Sequence, residues 1–560
     1  MSHNGHSQAI PPRLTAESRV RHQTLAGAAL LALLAACGGG GGEEPPAQPP
    51  PSVRPGLTVS GATPVTPGCD GGKAGGTIFV DAEAEPFVAV SPANPDAMVG
   101  IWQQDRTSNG GARALVSAWS ADGGRNWTRV LHPFSRCGGA LPGSPGDFER
   151  ASDPWVDIAP DGTVHAMALA FSGGALAAGS SSAMLASRST DGGRSWSAPQ
   201  AMQRDGDTHF NDKNTLTADR TDARYVYGVW DRLDRSDHGP TLLARSSDGG
   251  LSWEPARTIH APTVSGGTSQ TIGNRIVVIG DGPQRGVLVN VFNQIDTVGG
   301  VSTGRVRVMR SADKGLSWSA PVTVSELRAI GARDPDTGAV IRDGAILPAI
   351  AAGPGGRLWV AWQDARFSGG LRDAIALSRS DDAGLTWSAP AAVNRDPSVP
   401  AFTPTLHVHN DGRLAITHYD LRSNTPDTST LLADLWLLTT RDGSAFTEQA
   451  LARAQPLHFA PLVSGGLFLG DYHGLVSAGP DLLPFAVLPN ASSANRTDVV
   501  ALRTAPQVLG AAGARQHAAR ATPLRPTPGS LAAASFARER SHAIQRALRA
   551  RPGHGAQASP

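Results

Sequence analysis

Four pairs of aspartate and arginine stand at short spacing directly after runs of apolar residues. A carboxyl group can accept or deliver a proton, and a guanidinium group binds a carboxylate through two parallel hydrogen bonds. Such pairs therefore suit either a site for an anionic or sugar ligand or structural ion pairs between neighbouring elements. The four pairs are Asp105 with Arg106, Asp231 with Arg232, Asp364 with Arg366, and Asp420 with Arg422.

Each of these pairs ends one copy of a repeated pattern, in which two apolar runs are separated by a turn. The pattern predicts a β-hairpin of two buried strands. In the first six copies a third strand follows, then a tight turn and a fourth strand. A unit of four strands cannot bury both of its faces alone, so we predict an all-β fold whose units stack radially as the blades of a β-propeller. The seven copies cover residues 87–102, 155–169, 216–230, 275–292, 349–362, 406–419 and 474–488.

The turn between the third and fourth strands carries a second repeat, with the pattern S-x-D-x-G-x-x-W. Its aspartate can accept hydrogen bonds from its own turn, its glycine supplies a positive φ, and its tryptophan can pack between neighbouring blades. We therefore interpret the repeat as structural rather than catalytic. A degenerate sixth copy at 439–446 has phenylalanine in place of tryptophan. The five full copies have their aspartates at Asp122, Asp191, Asp248, Asp313 and Asp382.

The two repeats disagree on the number of blades. Six boxes indicate six blades, whereas seven hairpins indicate seven. The last hairpin is followed by one further strand, TDVVAL at 497–502, after which the chain leaves the repeat. We predict that TIFV at 77–80 supplies the missing fourth strand, since closure by an earlier part of the chain leaves no free sheet edge. This favours seven four-stranded blades over six, within a propeller domain at 77–505.

Propeller geometry places the start of each first strand and the end of each second strand on one face, around the central channel. The box turns lie on the opposite face. Charged side chains beside a narrow channel are costly unless they are paired or bind a ligand. The candidate site therefore lies on the face opposite the boxes. Besides the four Asp–Arg pairs, this face has Glu85, Glu149, Arg150, Asp153, Asp212, Lys213, Gln270, Asn293, Asp343, Asp471 and Tyr472.

The box pattern is similar to the Asp box, or BNR repeat, of the sialidase-like β-propeller superfamily. The phrases EPFVAVSPANPD, ERASDPWV, NDKNTL, WQDARFSGG and GDYHGL resemble a bacterial branch that is labelled exo-α-sialidase by similarity. This resemblance covers about residues 77–505 and implies an exported glycoside hydrolase acting on extracellular glycans. Sialidase-like enzymes use three arginines to hold the substrate carboxylate, a carboxylic acid to protonate the leaving group, and a tyrosine as nucleophile.

The resemblance implies catalytic roles for two residues. Asp105, in GIWQQDR (100–106), matches the segment that contains the acid. Tyr472, in the GDYHG segment, would be the nucleophile, and Tyr419 is an open second candidate. The residues implied for substrate binding are Arg106, Arg150, Asp212, Arg366 and Arg422.

Two departures from the sialidase pattern leave a second function open. The place of the early Arg-Ile-Pro motif reads Glu85-Pro86-Phe87, without an arginine, so Arg106 or Arg150 would have to replace it. No glutamate stands beside Tyr472 in the sequence to assist a nucleophile. The alternative is a non-catalytic propeller that binds glycan or protein on its charged rim. In either case we expect a monomer without a cofactor or a metal site.

The amino terminus is typical of an exported chain. Arginines precede an apolar run at 25–36 that is too short to span a bilayer, and LAAC at 34–37 resembles a bacterial lipobox. We predict a lipoprotein signal peptide at 1–37 with acylation at Cys37, followed by a Gly/Pro-rich tether at 38–76. An ordinary secretory signal that ends in cysteine is the alternative. Glycine after the cysteine favours the outer membrane within the cell envelope, and a periplasmic or a surface position stays open.

The remaining composition bears on export and on partners. An exported chain meets an oxidising compartment, where Cys69 and Cys137 could form a disulfide or stay two separate buried thiols. The formal net charge of +1 neither favours nor excludes nucleic acid, and we expect no such partner. Residues 506–560 contain eight arginines and a single glutamate. This composition is typical of a disordered basic tail, and the alternative is an arm that touches anionic lipid.

Overall fold

The computed structural model describes residues 56–71 and 75–504. The predicted signal peptide at 1–37 and the basic tail at 506–560 lie outside the described residues. No helix in the described part of the chain is long and apolar enough to cross a membrane. The described helices are three short 3₁₀ turns at Pro354–Gly356, Ala365–Ser368 and Leu457–Phe459.

The apolar runs and the turns between them build antiparallel groups of four strands each, and the pairing of Ala112 with Ala151 joins the first two groups into one eight-stranded sheet. In chain order the described strands are β1 (Leu57–Thr58), β2 (Ala84–Val90), β3 (Met98–Arg106), β4 (Ala112–Ser120), β5 (Thr128–His132), β6 (Arg150–Ile158), β7 (Val164–Ser172), β8 (Ser181–Ser189), β9 (Gln200–Asp205), β10 (His209–Ala218), β11 (Val226–Asp234), β12 (Thr241–Ser246), β13 (Arg257–His260), β14 (Gly267–Val278), β15 (Leu288–Val298), β16 (Val301–Ser311), β17 (Val322–Leu327), β18 (Ile341–Arg342), β19 (Ala349–Ala352), β20 (Leu358–Asp364), β21 (Ala374–Ser380), β22 (Ala391–Ala392), β23 (Ala401–Val408), β24 (Leu414–Asp420), β25 (Leu432–Thr440), β26 (Thr447–Pro456), β27 (Leu462–Val463), β28 (Gly466–Phe468), β29 (Gly474–Ala478), β30 (Asp481–Pro489) and β31 (Thr497–Ala501). The four-stranded groups are β2–β5, β6–β9, β10–β13, β14–β17, β19–β22, β23–β26, and β29–β31 with β1, and we number them as the first to the seventh sheet. A small extra sheet contains β18, β28 and β27. The all-β class and the four-stranded units predicted from the sequence are confirmed.

The sheets meet along their first strands, and the core lies between neighbouring sheets. Each first strand contacts the first strand of the next sheet, and β29 of the seventh sheet contacts β2 of the first. Trp102, the fifth residue of β3, is fully buried, and its ring lies 6.4 Å from the ring of Phe485 in the seventh sheet. Trp230 in β11 and Trp362 in β20 are buried at the same place in their strands. Burial of a large apolar side chain contributes about 1.5–3 kcal/mol, so these positions stabilise the joints between sheets.

The boxes fold as tight turns that use their aspartates internally. Asp122 Oδ1 accepts hydrogen bonds from the Ser120 hydroxyl at 2.8 Å and from the Asn126 backbone N–H at 3.0 Å. In the second box, the Trp196 ring lies 4.5 Å from the His132 ring of the first sheet. The box therefore closes its own turn and packs on the preceding sheet. The same two hydrogen bonds recur at Asp191, Asp248, Asp313 and Asp382.

The seventh sheet is completed by β1, so the prediction that residues 77–80 complete it is wrong. β1 pairs with β31 in antiparallel register, whereas Ile78 forms an isolated bridge with Thr107 after β3. The outer edge of the seventh sheet lies three strand spacings, roughly 14 Å, from its inner strand. If residues 77–80 formed the outer strand, residues 81–83 alone would have to connect it to β2, which begins at residue 84. Even when fully extended, these residues would barely span roughly this distance. The predicted tether at 38–76 therefore contains a strand of the folded body.

A disulfide between Cys69 and Cys137 joins the segment after β1 to the loop after β5. The bridge closes a sequence separation of 68 residues. Replacing both cysteines by alanine is expected to lower the free energy of unfolding by about 2–5 kcal/mol, because the unfolded chain gains the freedom of a long open loop. Urea unfolding of both proteins measures the difference. A loss below about 0.5 kcal/mol, the size of an ordinary surface substitution, would show that the bridge does not stabilise the fold.

Candidate functional site

Five of the first strands are interrupted near their starts by a β-bulge. At each bulge one residue has a left-handed backbone, with φ between 49° and 71°. A bulge re-aims a side chain, and the left-handed conformation costs a non-glycine residue about 1–3 kcal/mol. Three charged residues repeat this strain on the adjoining strands β2, β6 and β10, which marks the place where these strands meet as the candidate site. The bulge residues are Glu85, Asp153, Lys213, Gly273 and Thr403.

A buried lysine connects three carboxyl groups at this place. Lys213 Nζ lies 3.1 Å from Glu85 Oε1, 3.3 Å from Asp153 Oδ1 and 2.6 Å from Asp471 Oδ2. The carboxyl groups come from the first sheet, the second sheet and the segment before the seventh sheet. All four residues are at most 7% exposed. We call these four residues the central cluster.

The members of the central cluster differ in protonation. Burial raises the pKa of Glu85 to about 8, although Lys213 opposes this shift. Burial alone would also raise the pKa of Asp153, but Lys213 and a hydrogen bond with Glu85 lower it to about 2. Arg342 and Lys213 hold the pKa of Asp471 well below its usual range, against the effect of burial. At neutral pH a protonated carboxyl group therefore stands beside two ionised ones, which is the arrangement that acid–base chemistry needs.

Two arginines flank the central cluster and differ in their partners. Arg342 donates to Asp471 through two hydrogen bonds, at 3.1 and 2.6 Å. Arg106 donates through Nη1 to Gln103 Oε1 at 2.5 Å and forms no ion pair within the described residues. Both guanidinium carbons lie 4.6 Å from the centre of the Phe468 ring. Burial and the neighbouring Arg342 lower the pKa of Arg106 to about 10, so it stays a cation at neutral pH without a carboxylate partner.

A cavity of about 620 Å³ opens over these groups. Its floor consists of Asp153, Lys213 and Asp471 together with Arg106 and Asp212. Its wall comes from segments that the repeat does not require, at residues 330–333, 339–347 and 462–467. β18 pairs in parallel with β28, which joins the insertions before the fifth and the seventh sheets. In the described part of the chain no group of three His, Cys, Asp or Glu side chains is arranged to hold a metal ion.

Two buried carboxyl groups attach this wall to the fifth sheet. Asp373 accepts hydrogen bonds from the backbone N–H groups of Ile330 at 2.9 Å and Gly331 at 2.6 Å. Gln363 Nε2 donates to Asp343 at 2.9 Å and to Asp373 at 3.2 Å. Burial and the neighbouring Asp343 raise the pKa of Asp373 to about 7. The wall is thus held in a defined position relative to the floor.

The predicted acid, Asp105, is occupied by structural contacts. Its carboxylate accepts hydrogen bonds from Arg113 Nη2 at 2.6 Å, from the Thr63 hydroxyl at 2.7 Å and from the Asp81 backbone N–H at 2.8 Å. Asp105 does not line the cavity described above. The side chain therefore anchors the segment that follows β1, and its predicted role as the acid stays a prediction.

The predicted tyrosine nucleophiles donate their hydroxyl protons to backbone carbonyls. The Tyr472 hydroxyl donates to the Pro154 carbonyl at 2.9 Å, and the Tyr419 hydroxyl donates to the Val487 carbonyl at 2.8 Å. Burial, followed by the nearby negative charge of Glu85 and other carboxyl groups, raises the pKa of Tyr472 well above its usual range. A raised pKa disfavours the phenolate that a nucleophile requires, so Tyr472 as the nucleophile also stays a prediction.

The predicted arginines divide into structural and cavity-lining ones. Arg366 binds Asp364 at 2.7 Å, and Arg422 binds Asp420 at 2.5 Å. Arg150 donates to backbone carbonyls, including that of Gly173 at 2.6 Å. Of the predicted substrate-binding residues, Arg106 and Asp212 line the cavity.

Two of the four Asp–Arg pairs do not form within their hairpins. Asp105 binds Arg113 instead of Arg106, and Arg232 binds Asp205. Sequence spacing alone could not reveal these exchanges, because both new partners come from neighbouring strands or turns. The exchange at Asp105 is what leaves Arg106 without a carboxylate.

The central cluster was only partly visible in the sequence. Its four members all belong to the first-strand starts that are predicted to surround the channel, but none of them is among the predicted site residues. The position of these residues at strand starts was the feature of the sequence that could have indicated the central cluster. The bulges that turn these side chains toward one another leave no recognised pattern in the order of residues.

Comparison with known proteins gives similarities in structure only. No protein-family model matches the chain, and no curated protein is similar to it. A Hadza microbial sialidase is 18% identical over 60% of this chain and 63% of its own length, with a TM-score of 0.39. An α-L-arabinanase of Penicillium chrysogenum, complexed with arabinobiose, is 14% identical over 64% of this chain and 96% of its own, with a TM-score of 0.39.

A leech intramolecular trans-sialidase is 14% identical over 77% of this chain and 68% of its own length, with a TM-score of 0.37. The chain spans less than two thirds of the length of the Hadza sialidase. These three proteins are named as a sialidase, an arabinanase and a trans-sialidase.

Proposed function

We propose that the described residues form a seven-bladed β-propeller that acts as a sialidase-like glycoside hydrolase on acidic extracellular glycans. Seven four-stranded sheets and the circuit of contacts from β2 to β29 and back support the blade count. Export as a Cys37-acylated lipoprotein of the cell envelope, as a monomer, is part of this proposal and rests on the sequence alone.

One observation carries the proposed activity: Arg106 is a buried cation that lines the cavity without a carboxylate partner. A sugar carboxylate in the cavity would accept hydrogen bonds from its remaining N–H groups and would remove the cost of an unpaired buried charge. The guanidinium carbon of Arg106 lies over the Phe468 ring, against which the guanidinium group of Arg342 also packs. This packing limits the directions from which a ligand can approach Arg106.

The central cluster supplies groups for glycoside cleavage. Asp153 and Asp471 both line the cavity, and their lysine-bound oxygens lie no more than 5.9 Å apart, because both contact Lys213 Nζ. Retaining glycosidases hold two carboxyl groups about 5–5.5 Å apart. In this proposal Asp471, kept ionised by two cations, attacks the anomeric carbon. Asp153 protonates the leaving oxygen with the proton that it receives from Glu85. A water molecule then hydrolyses the glycosyl ester on Asp471, and its proton returns through Asp153 to Glu85.

The second candidate is a non-catalytic propeller that binds an acidic glycan in the same cavity. It is favoured by the Tyr472 hydroxyl, which donates to a backbone carbonyl rather than to a carboxylate. It is also favoured by Lys213 and Arg342, because these cations bind Asp153 and Asp471, the two ionised carboxylates of the central cluster. Binding without turnover separates this candidate from the hydrolase.

The Arg106→Met variant tests the site on a panel of fluorogenic glycosides that includes a sialic-acid aryl glycoside. We expect kcat/KM on acidic glycosides to fall about 10- to 100-fold, because hydrogen bonds to a charged group contribute about 1.5–3 kcal/mol. Hydrolysis of neutral glycosides and the free energy of unfolding should change little, because Arg106 has no ion pair to lose.

Arg366→Met is the matched control, because Arg366 is bound to Asp364 and does not line the cavity. An equal loss in both variants would contradict the assignment of Arg106. Loss of turnover in Tyr472→Phe, with Asp471→Asn still active, would return the nucleophile to Tyr472. No turnover by the folded protein, with retained binding of acidic glycans, would establish the binding propeller.

A further inference from the structure

The cavity changes character between its floor and its wall. Charged side chains occupy the floor, whereas the wall presents mainly apolar ones, among them Ile330, Ile341, Leu347 and Leu467. Phe171 and Phe210 continue this surface on the side of the second and third sheets, with their rings 5.8 Å apart. A ligand that reaches the floor therefore lies along apolar surface over the rest of its length.

The apolar surface continues to the outside. Val340 is 40% exposed and Leu462 is 64% exposed, and both line the cavity. Large exposed apolar side chains beside a concave site are typical of a binding surface rather than of plain solvent-facing surface. Both side chains belong to the insertions that form the wall, so they are not needed to build the repeat.

This wall does not suit the hydroxyl groups of an extended sugar chain. A hydroxyl that is buried without a hydrogen-bond partner costs about 1–3 kcal/mol. Apolar groups gain by the same burial, at about 0.8 kcal/mol for each methylene. A cavity of about 620 Å³ is the size of small-molecule sites and leaves no room for a folded partner.

We propose that the cavity binds an anionic amphiphile, with its acidic head at Arg106 and an alkyl or acyl chain along the wall. As a proposal about the substrate, the amphiphile site rests on the proposed function. The substrate would then be an acidic glycoconjugate that carries an apolar aglycone or acyl group. As a statement on binding it stands on the cavity alone. The head needs one negative charge, because Lys213 and Arg342 already bind the carboxyl groups of the central cluster.

The test measures direct binding of straight-chain carboxylates of three to eight carbons to the full-length protein by calorimetry. Affinity is expected to rise about fourfold for each added methylene, which is the buried-methylene energy expressed as a binding constant. Octylamine, which has the same chain and a positive head, should bind at least tenfold more weakly than octanoate. Arg106→Met should remove this preference for the negative head.

The double variant Val340→Ser with Leu462→Ser tests the wall. Both side chains are exposed, so the protein should fold normally, and the gain per methylene should fall for the longer chains. The matched control is Leu251→Ser with Leu385→Ser, two exposed leucines of the boxes that do not line the cavity. This control should retain the full dependence on chain length.

Affinity that does not change with chain length would overturn the proposal, as would equal binding of octanoate and octylamine. An unchanged chain-length series in the Val340/Leu462 variant would overturn the role of the wall. Hydrolysis is measured separately on the glycoside panel. Chain-dependent binding without any hydrolysis would refute the hydrolase and support the amphiphile site, and hydrolysis of acidic glycosides without chain-dependent binding would do the opposite.

Discussion

Replacing Lys213 by methionine is expected to lower the free energy of unfolding by about 3–5 kcal/mol at pH 7, because it leaves buried carboxylates without their cation. Among the described residues, Lys213 is the only one that forms an ion pair with each of Glu85, Asp153 and Asp471. Without it, Asp471 keeps Arg342 as a partner, but Asp153 loses its only ion-pair partner among the described residues and remains ionised in a buried place close to Asp471. Urea unfolding at pH 7.5 measures the loss.

The pH dependence of this variant gives a second readout. In the native protein the pKa of Asp153 is about 2, below its ordinary value, so its contribution to stability is present above about pH 4 and is lost as the pH falls through 2. In the variant burial would raise this pKa instead, so protonation at pH 5 should recover part of the lost stability. Lys314→Met is the control, since Lys314 binds Asp219 at 2.8 Å but is partly exposed. Similar losses in both variants, independent of pH, would contradict the account of the central cluster.

Replacing Glu85 by glutamine is expected to make the protein more stable than the native one above pH 8. Burial raises the folded-state pKa of Glu85 from 4.5 to about 8. The folded protein therefore keeps a proton that the unfolded chain releases near pH 4.5, and native stability falls as the pH rises from about 4.5 to 8. Glutamine is neutral throughout this range, so the stability of the variant should depend less on pH.

Unfolding free energies of both proteins at several values between pH 4.5 and 9 measure this effect. The exposed Glu326→Gln serves as the control and should follow the native profile within about 0.5 kcal/mol. Parallel profiles for the native protein and Glu85→Gln would show that Glu85 is ionised at neutral pH. In the proposed hydrolase, Glu85→Gln should also lose most of its turnover, because the leaving group would no longer receive a proton.

The strands and the turns of this protein follow from local patterns of residues. The hairpins were predictable because burial of a strand requires a run of apolar residues, and each box turn requires aspartate and glycine at a fixed spacing. These are local requirements that leave a local record in the order of residues. The face of the site was also predictable, since strand starts and ends alternate between two faces.

The contacts between residues that are far apart in the sequence become visible only in the folded protein. The closing strand β1, the choice of Arg113 rather than Arg106 as the partner of Asp105, and the central cluster all join parts of the chain that are adjacent only after folding. Lys213 and Asp471 contact each other across 258 positions. An ion pair depends on distance in space and on burial, and neither leaves a pattern in the spacing of residues. For this reason the sequence indicated which types of residue form the site, but not how these residues are arranged in space.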